Sequence, residues 1–380
     1  MCFGIMGRIA STARESPACC NLAAMWHQTK ITELLGIQYP ILMGPMGGGF
    51  STPELLAAVS NAGGLGSIGA YTLTPEEIRE VDAAIKKKTD KPYNINLWVS
   101  DVDERLSNYS PESLAKVKAL FKPYFDELGI PLPELDTNIP SKFAKQVEVI
   151  FEIRPAVFSF IFGIPAKEIL NECRRLSIKT VGAATTLDEA LALEATGVDA
   201  IVAAGFEAGG HRPSFLRPAP DSLTGAFALV QQLKAKIKTP VIAAGGIADG
   251  KGIAAALTLG ADAAQLGTAF LACNESNATP AHRAALFSDD TKYTVLSKSL
   301  TGRLGRMIRN RISEAVSYET EVWPFPLQTR LMGPLRAAAL AQGKTGLSNF
   351  WSGQNAVNLK HTKAGELMQS LIAETGTLLK

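Results

Sequence analysis

His211 stands in the stretch FEAGGHRPSF (Phe206–Phe215), directly behind Gly209 and Gly210 and at the end of the apolar run AIVAA. The chain holds four histidines, and no other falls between His27 and His282. A lone loop histidine is most often a hydrogen-bonded structural residue, yet an imidazole titrating near neutrality also serves as acid, base or anion holder. Here two glycines free the backbone, and Glu207 and Arg212 are expected to place tuning charges beside the ring. His211 is therefore the candidate catalytic group.

A second set of residues suits an anion. AAGGIADG (Ala243–Gly250) puts Gly245 and Gly246 at the end of an apolar run, and QLGTAF (Gln265–Phe270) puts Gly267 and Thr268 at the end of the next. Glycines at such ends let backbone N–H groups approach a phosphate. GPMGGGFS (Gly44–Ser51), with Met46, lets backbone lie flat against a ligand, and Asn96 in NINLW offers an amide that both donates and accepts. Gly64-Leu65-Gly66-Ser67-Ile68-Gly69 matches the dinucleotide fingerprint GxGxxG in the wrong setting. It follows a helical pattern and enters a strand, where the true motif does the reverse. No CxxC or HExxH spacing points to a metal.

These residues need elements to position them. Eight short apolar runs, YPILMG, LGSIGA, YNINLWV, AVFSFIFG, KTVGAA, AIVAAG, PVIAAG and AAQLG, recur along the chain, most with a helix-period segment behind them. That rhythm predicts an α/β fold, a (β/α)8 TIM barrel with a smaller, mainly helical lid. Ligands approach such a barrel at the C-terminal strand ends, and the loops after strands seven and eight commonly cradle phosphate. The expected organisation is an N-terminal extension over 1–30, poorly ordered, then a barrel over 31–287 interrupted at about 101–142. A lid follows over 288–350, and a C-terminal helix over 351–380 returns to the barrel. Residues 1–24 lack the apolar centre of a signal peptide, so Met25 is an expected natural start.

Composition narrows the partners. Charged residues make up 19% of the chain and the net charge is +2, which argues against nucleic acid. The arginines of SKSLTGRLGRMIRNR lack interleaved aromatics, so they do not read as a nucleic-acid stripe. No run approaches the roughly 18 apolar residues of a membrane span. Five cysteines without framework spacing suit a reducing, cytoplasmic setting.

Several blocks in order, PILMGPMGGGFSTPELLAAVSNAGGLGSIGA, EAGGHRPSF, PVIAAGGIADGKGIAAALTLGADAAQLGTAFLACNES and WPFPLQTRLMGPLRAAA with WSGQNA, resemble the nitronate monooxygenases, formerly 2-nitropropane dioxygenases. The resemblance covers roughly residues 31–360. It implies an FMN-bearing barrel in which His211 faces the flavin. By the same resemblance the FMN phosphate lies on Gly245, Gly246 and the run Gln265, Leu266, Gly267 and Thr268, and the ring and ribityl chain meet Met46, Asn96, Gly205 and Gly209. Ala204 departs from the family, which often has Gln there, and so removes one amide contact with the flavin. Trp323, Phe325, Phe350 and Trp351 are the candidates for a substrate pocket, with plain packing as their alternative.

The implied reaction oxidises alkyl nitronates, and nitroalkanes by extension, with O2 to carbonyl compounds and nitrite. A protonated His211 would hold the anion; a neutral one would remove an α-proton. The first alternative is an FMN- and NAD(P)H-dependent reductase of the enoyl-ACP type, whose relatives share the first three blocks. A flavin-free barrel acting on a phosphorylated metabolite is the second. A homodimer is expected as the assembly.

Overall fold

The computed structural model describes Met1 and residues 25–103 and 110–380; the expected start at Met25 concerns residues outside that set. All eight apolar runs are strands: β1 (Ile41–Met43), β2 (Gly66–Gly69), β3 (Tyr93–Trp98), β4 (Val157–Ile161), β5 (Lys179–Ala184) and β6 (Ala200–Ala204) come first. A two-residue strand, β7 (Gly210–His211), lies outside the barrel, and β8 (Val241–Ala244) and β9 (Ala263–Leu266) complete it. The eight barrel strands are parallel, in the order β1-β9-β8-β6-β5-β4-β3-β2. Closure comes from Leu65, just before β2. Its carbonyl accepts from Met43 N–H at 2.9 Å and its N–H donates to Ile41 at 3.0 Å. The fold is a TIM barrel.

Alternation sorts each strand into two faces. Ile41, Ile95, Phe158, Phe160, Ile201 and Val241 point outward into the main cluster beneath the helices. Leu42, Val181, Ala183, Val202 and Ile242 point inward, joined by Ile31 and Leu35 of the helix Lys30–Leu35, which closes the lower end. Helices start where the sequence supplies caps: Thr52, Thr74, Thr186 and Asp249 each accept a backbone N–H from the first turn. The stretch GLGSIG is the expected helix-to-strand junction. A Cβ on Gly66 would lie 2.2 Å from the Leu56 carbonyl oxygen, so glycine there permits close helix–strand packing.

β9 is followed directly by a helix of only four residues, Thr268–Leu271. The final helix Ala364–Leu378 takes the vacant place in the outer ring, against the helices Pro53–Asn61 and Gly250–Thr258. Glu374 there accepts from Gly250 N–H at 3.0 Å. Residues 25–30, assigned from sequence to a loose extension, are tied down in the structure: Trp26 stacks on Tyr39 with centroids 5.8 Å apart, and Thr29 caps the first helix.

Above the barrel mouth the insertion and the tail share a second apolar cluster. Val117, Phe121 and Phe125 of the helix Pro111–Leu128 meet Leu331, Met332 and Leu335 of the helix Leu327–Ala341. The tail adds an element that helical periodicity did not foretell, the antiparallel strands β10 (Thr294–Ser297) and β11 (Gly305–Ile308). β11 also pairs with β7, setting Gly305 opposite His211 and Arg306 opposite Gly210. The loop that carries the histidine is thus hydrogen-bonded to a segment some ninety residues further on. No helix among the described residues is long and apolar enough to cross a membrane.

Candidate active site

One cavity of about 490 Å³ opens between the C-terminal strand ends and the tail. The barrel side brings together Met46, Asn96, Ala204, Gly209, Gly245, Gly246, Gln265, Gly267 and Thr268, and the tail side Phe325 and Trp351, with His211 between them. Four expected residues lie outside the lining. Leu266 points outward into the main core, and Gly205 is packed where a Cβ would meet Glu207 and the start of the helix Ala226–Lys236. Trp323 is sealed in the cluster between insertion and tail, although Phe325, two residues on, reaches the cavity. Phe350 is stacked on His282 with centroids 5.0 Å apart. Packing is the better account of both aromatics.

The histidine is held by a short relay. Its Nε2 lies 2.9 Å from Thr301 Oγ1, and the Thr301 hydroxyl donates to the Arg303 carbonyl at 3.1 Å. A hydroxyl whose proton is already committed can only accept from the ring, so Nε2 carries the proton and Nδ1 keeps its lone pair. Trp98 stands edge-on to the ring at 5.3 Å and Trp351 lies at 4.9 Å. His282 accounts for the position of Trp351, since its Nε2 bonds the Trp351 carbonyl at 2.9 Å. Burial, with the charges of Arg303 and Arg336, pulls the His211 pKa down to about 3, so the imidazole is neutral at pH 7.

The tuning charges differ from those expected. Glu207 accepts from Ala226 N–H at 2.9 and 3.0 Å, capping a helix. Arg212 is buried and donates to the carbonyls of Ala204 and Ser222. Both hold the loop in shape. The cations that act on the ring come from the tail. Arg303 pairs with Asp103 at 2.7 Å and lies over the Phe162 and Phe325 rings.

Arg336 is the other, and sequence reasoning passed over it as one more arginine on a tail helix. Among the described residues it is the one that bears a full charge in the cavity lining. One guanidinium nitrogen donates to Asn349 Oδ1 at 2.9 Å, while Nε is buried with no hydrogen-bond partner among the described residues. Burial holds its pKa below the usual guanidinium value, which marks the cation as poorly solvated. Tyr71, stacked on Trp98 at 3.5 Å, lies in the same wall, and burial raises its phenol to about 12.

The glycine cradle has room for a phosphate. Gly245 and Gly246 have φ of +112° and +70°, turning their backbone where a side chain would be strained. A Cβ on Gly267 would meet nothing within 4 Å. Residues near the C-terminus brace these loops: Gly353 N–H donates to Thr268 Oγ1 at 2.9 Å and Asn355 Nδ2 to the Gly246 carbonyl at 2.8 Å. That brace also explains Gly209. A Cβ there would lie 2.6 Å from Gly353 N, so its glycine also admits the returning chain. Backbone donors at the ends of β8 and β9 and an aromatic wall fit a phosphate-bearing flavin cofactor.

A TIM barrel with this cradle and a neutral histidine over it defines a class, the flavin-dependent oxidoreductases of this fold. Within it, the chain belongs to the nitronate monooxygenase family, whose model matches residues 28–374. A probable nitronate monooxygenase of Staphylococcus aureus (strain Newman) is 36% identical over 358 residues, covering 94% of this chain and 99% of that one. Among solved structures, the nitroalkane oxidase of Streptomyces ansochromogenes matches with a TM-score of 0.84 and 32% identity, covering 93% of this chain and all of that one. FabK from Thermotoga maritima matches with a TM-score of 0.71 and 29% identity, over 93% of this chain and 97% of that one. The family oxidises nitronates with a flavin.

Proposed function

We propose that this chain is an FMN-dependent monooxygenase that converts alkyl nitronates and O2 to carbonyl compounds and nitrite, acting on preformed nitronates in preference to neutral nitroalkanes. One observation carries the reading: a neutral imidazole and a poorly solvated cation, Arg336, share a cavity lined by no carboxylate among the described residues. A nitronate is an anion, and Arg336 offers it charge-assisted hydrogen bonds in a low-dielectric site.

The cofactor, when bound, accepts electrons from the nitronate carbon and supplies the chemistry with O2. Gly245, Gly246, Gly267 and Thr268 would hold its phosphate. The chain's own part is binding and orientation. Trp98, Phe325 and Trp351 exclude water, Arg336 draws the anion in, and Thr301 fixes the imidazole so that Nδ1 faces the substrate. That nitrogen is an acceptor, so it can take the α-proton of a neutral nitroalkane. An imidazole whose pKa lies near 3 is a weak base, which disfavours that step.

The test is an anaerobic titration of the purified, FMN-loaded protein. Bleaching of the flavin near ~450 nm by a nitronate supports the reading. Bleaching by NADH or NADPH and not by nitronate would overturn it in favour of the enoyl-reductase alternative.

A further inference from the structure

The inward residues of the barrel are unevenly distributed. On β5, β6 and β8 they are Val181, Ala183, Val202, Ile242 and Ala244, the apolar filling usual in this fold. On β2, β3 and β4 they include Ser67, Asn94, Asn96 and Ser159, all buried. Strand register makes neighbours of them, Ser67 opposite Asn94 and Asn96 opposite Ser159. Asn94 Nδ2 donates to Ser67 Oγ at 3.2 Å and to Ser159 Oγ at 2.8 Å, and Asn96 Nδ2 donates to Ser159 Oγ at 2.9 Å.

Two amides converging on one hydroxyl occupy both of its lone pairs and leave its proton free. The amide oxygens Asn94 Oδ1 and Asn96 Oδ1 remain buried without donors, so the cluster forgoes hydrogen bonds it would otherwise make. Packing does not require such an arrangement, since an apolar side chain would fill the same layer without that penalty. Of the four residues, Ser159 and Asn96 line the cavity, and Ser159 is the more accessible at 7% against 1%. The free hydroxyl proton therefore has the cavity as its direction.

We infer that Ser159 is a cofactor-positioning residue: its hydroxyl, aimed by Asn94 and Asn96, donates to a heteroatom of the flavin ring. This assignment rests on the flavin reading above. A flavin ring is apolar at its dimethylbenzene end and rich in acceptors at its pyrimidine end. A floor that is polar under β2–β4 and apolar under β5–β8 orients it, with the acceptor-rich end over Ser159. The donor also stabilises the reduced ring, whose heteroatoms carry more negative charge.

The experiment titrates the apoprotein with FMN and compares the parent, Ser159→Ala and Ser159→Thr. Flavin spectra, midpoint potentials and thermal unfolding are recorded alongside. Ser159→Ala is expected to weaken FMN binding about three- to tenfold, the effect of one lost neutral hydrogen bond. It should also shift the visible flavin spectrum and lower the potential, while Ser159→Thr, which keeps the hydroxyl, restores the parental values. A Ser159→Ala protein with parental FMN affinity, spectrum and potential overturns the inference, as does one changed only in thermal stability. Failure of the parent itself to bind FMN would instead defeat the flavin reading on which the inference rests.

Discussion

The two sides of the cavity are built from different materials. At the ends of β6, β8 and β9 the barrel side is small residues and backbone, Ala204, Gly245, Gly246 and Gly267. The tail side is made of side chains, Thr301, Phe325, Arg336 and Trp351, and it carries the full positive charge. His211 belongs to both, rooted in the loop after β6 and paired with β11. The contrast suggests a division of labour: the barrel side holds a cofactor by main-chain geometry, and the tail side selects what reacts with it.

Substitutions on each side should then separate turnover, substrate binding and cofactor binding. The largest effect is expected from His211→Asn, which keeps FMN but lowers nitronate turnover by about a hundredfold or more. Steady-state rates beside the flavin content would check it, and near-parental turnover would remove His211 from the chemistry. Arg336→Met should raise KM for nitronates by about ten- to a hundredfold, the range for one charge-assisted interaction. FMN affinity should stay unchanged; a parallel loss of FMN would erase the division between the sides. Conversely, Gly267→Val should weaken FMN binding by a comparable factor with little change in the unfolding midpoint, because the added side chain meets no protein atom at its Cβ and enters only ligand space.

Thr301→Val should lower turnover about tenfold by releasing the imidazole from its fixed tautomer, with FMN binding intact. A gentler effect concerns stability. Burial lowers the pKa of His211 to about 3 and of His282 to about 4, so both bind protons in the unfolded chain before the folded one. Their contribution is complete above about pH 6.5 and is lost as the pH falls toward those values. Each histidine is expected to cost up to about 1.4 kcal/mol per pH unit across that window. Urea unfolding at pH 7 and pH 5 would measure it, and His282→Asn should flatten the dependence.

The barrel side was largely legible in the sequence and the tail side largely not, for a physical reason. A strand announces itself within six residues, and a glycine at its end reports on a neighbouring ligand through its own conformation. Hence the eight strands and Gly245, Gly246, Gly267 and Thr268 could be read in place. Thr301 and Arg336 act on residues far along the chain, across 90 positions in the case of Thr301 and His211. Nothing local distinguishes them. Glu207 and Arg212 misled for the same reason, since closeness in sequence suggested tuning while their side chains turned to backbone groups. Trp323 and Phe325 show the limit most simply. Two aromatic residues separated by one proline face different compartments, and only the packing of Phe121 and Phe125 against the first decides which.

The ladder between β7 and β11 has a consequence for transplantation. Exchanging the tail between two members of this family would move more than a substrate pocket. The incoming segment would bring its own partner for the histidine's backbone, its own hydroxyl for Nε2 and its own neighbouring cations. A chimera made at residue 288 would thus take the histidine's basicity from the tail parent, and its cofactor grip from both, since Gly353 and Asn355 of the tail brace the glycine loops.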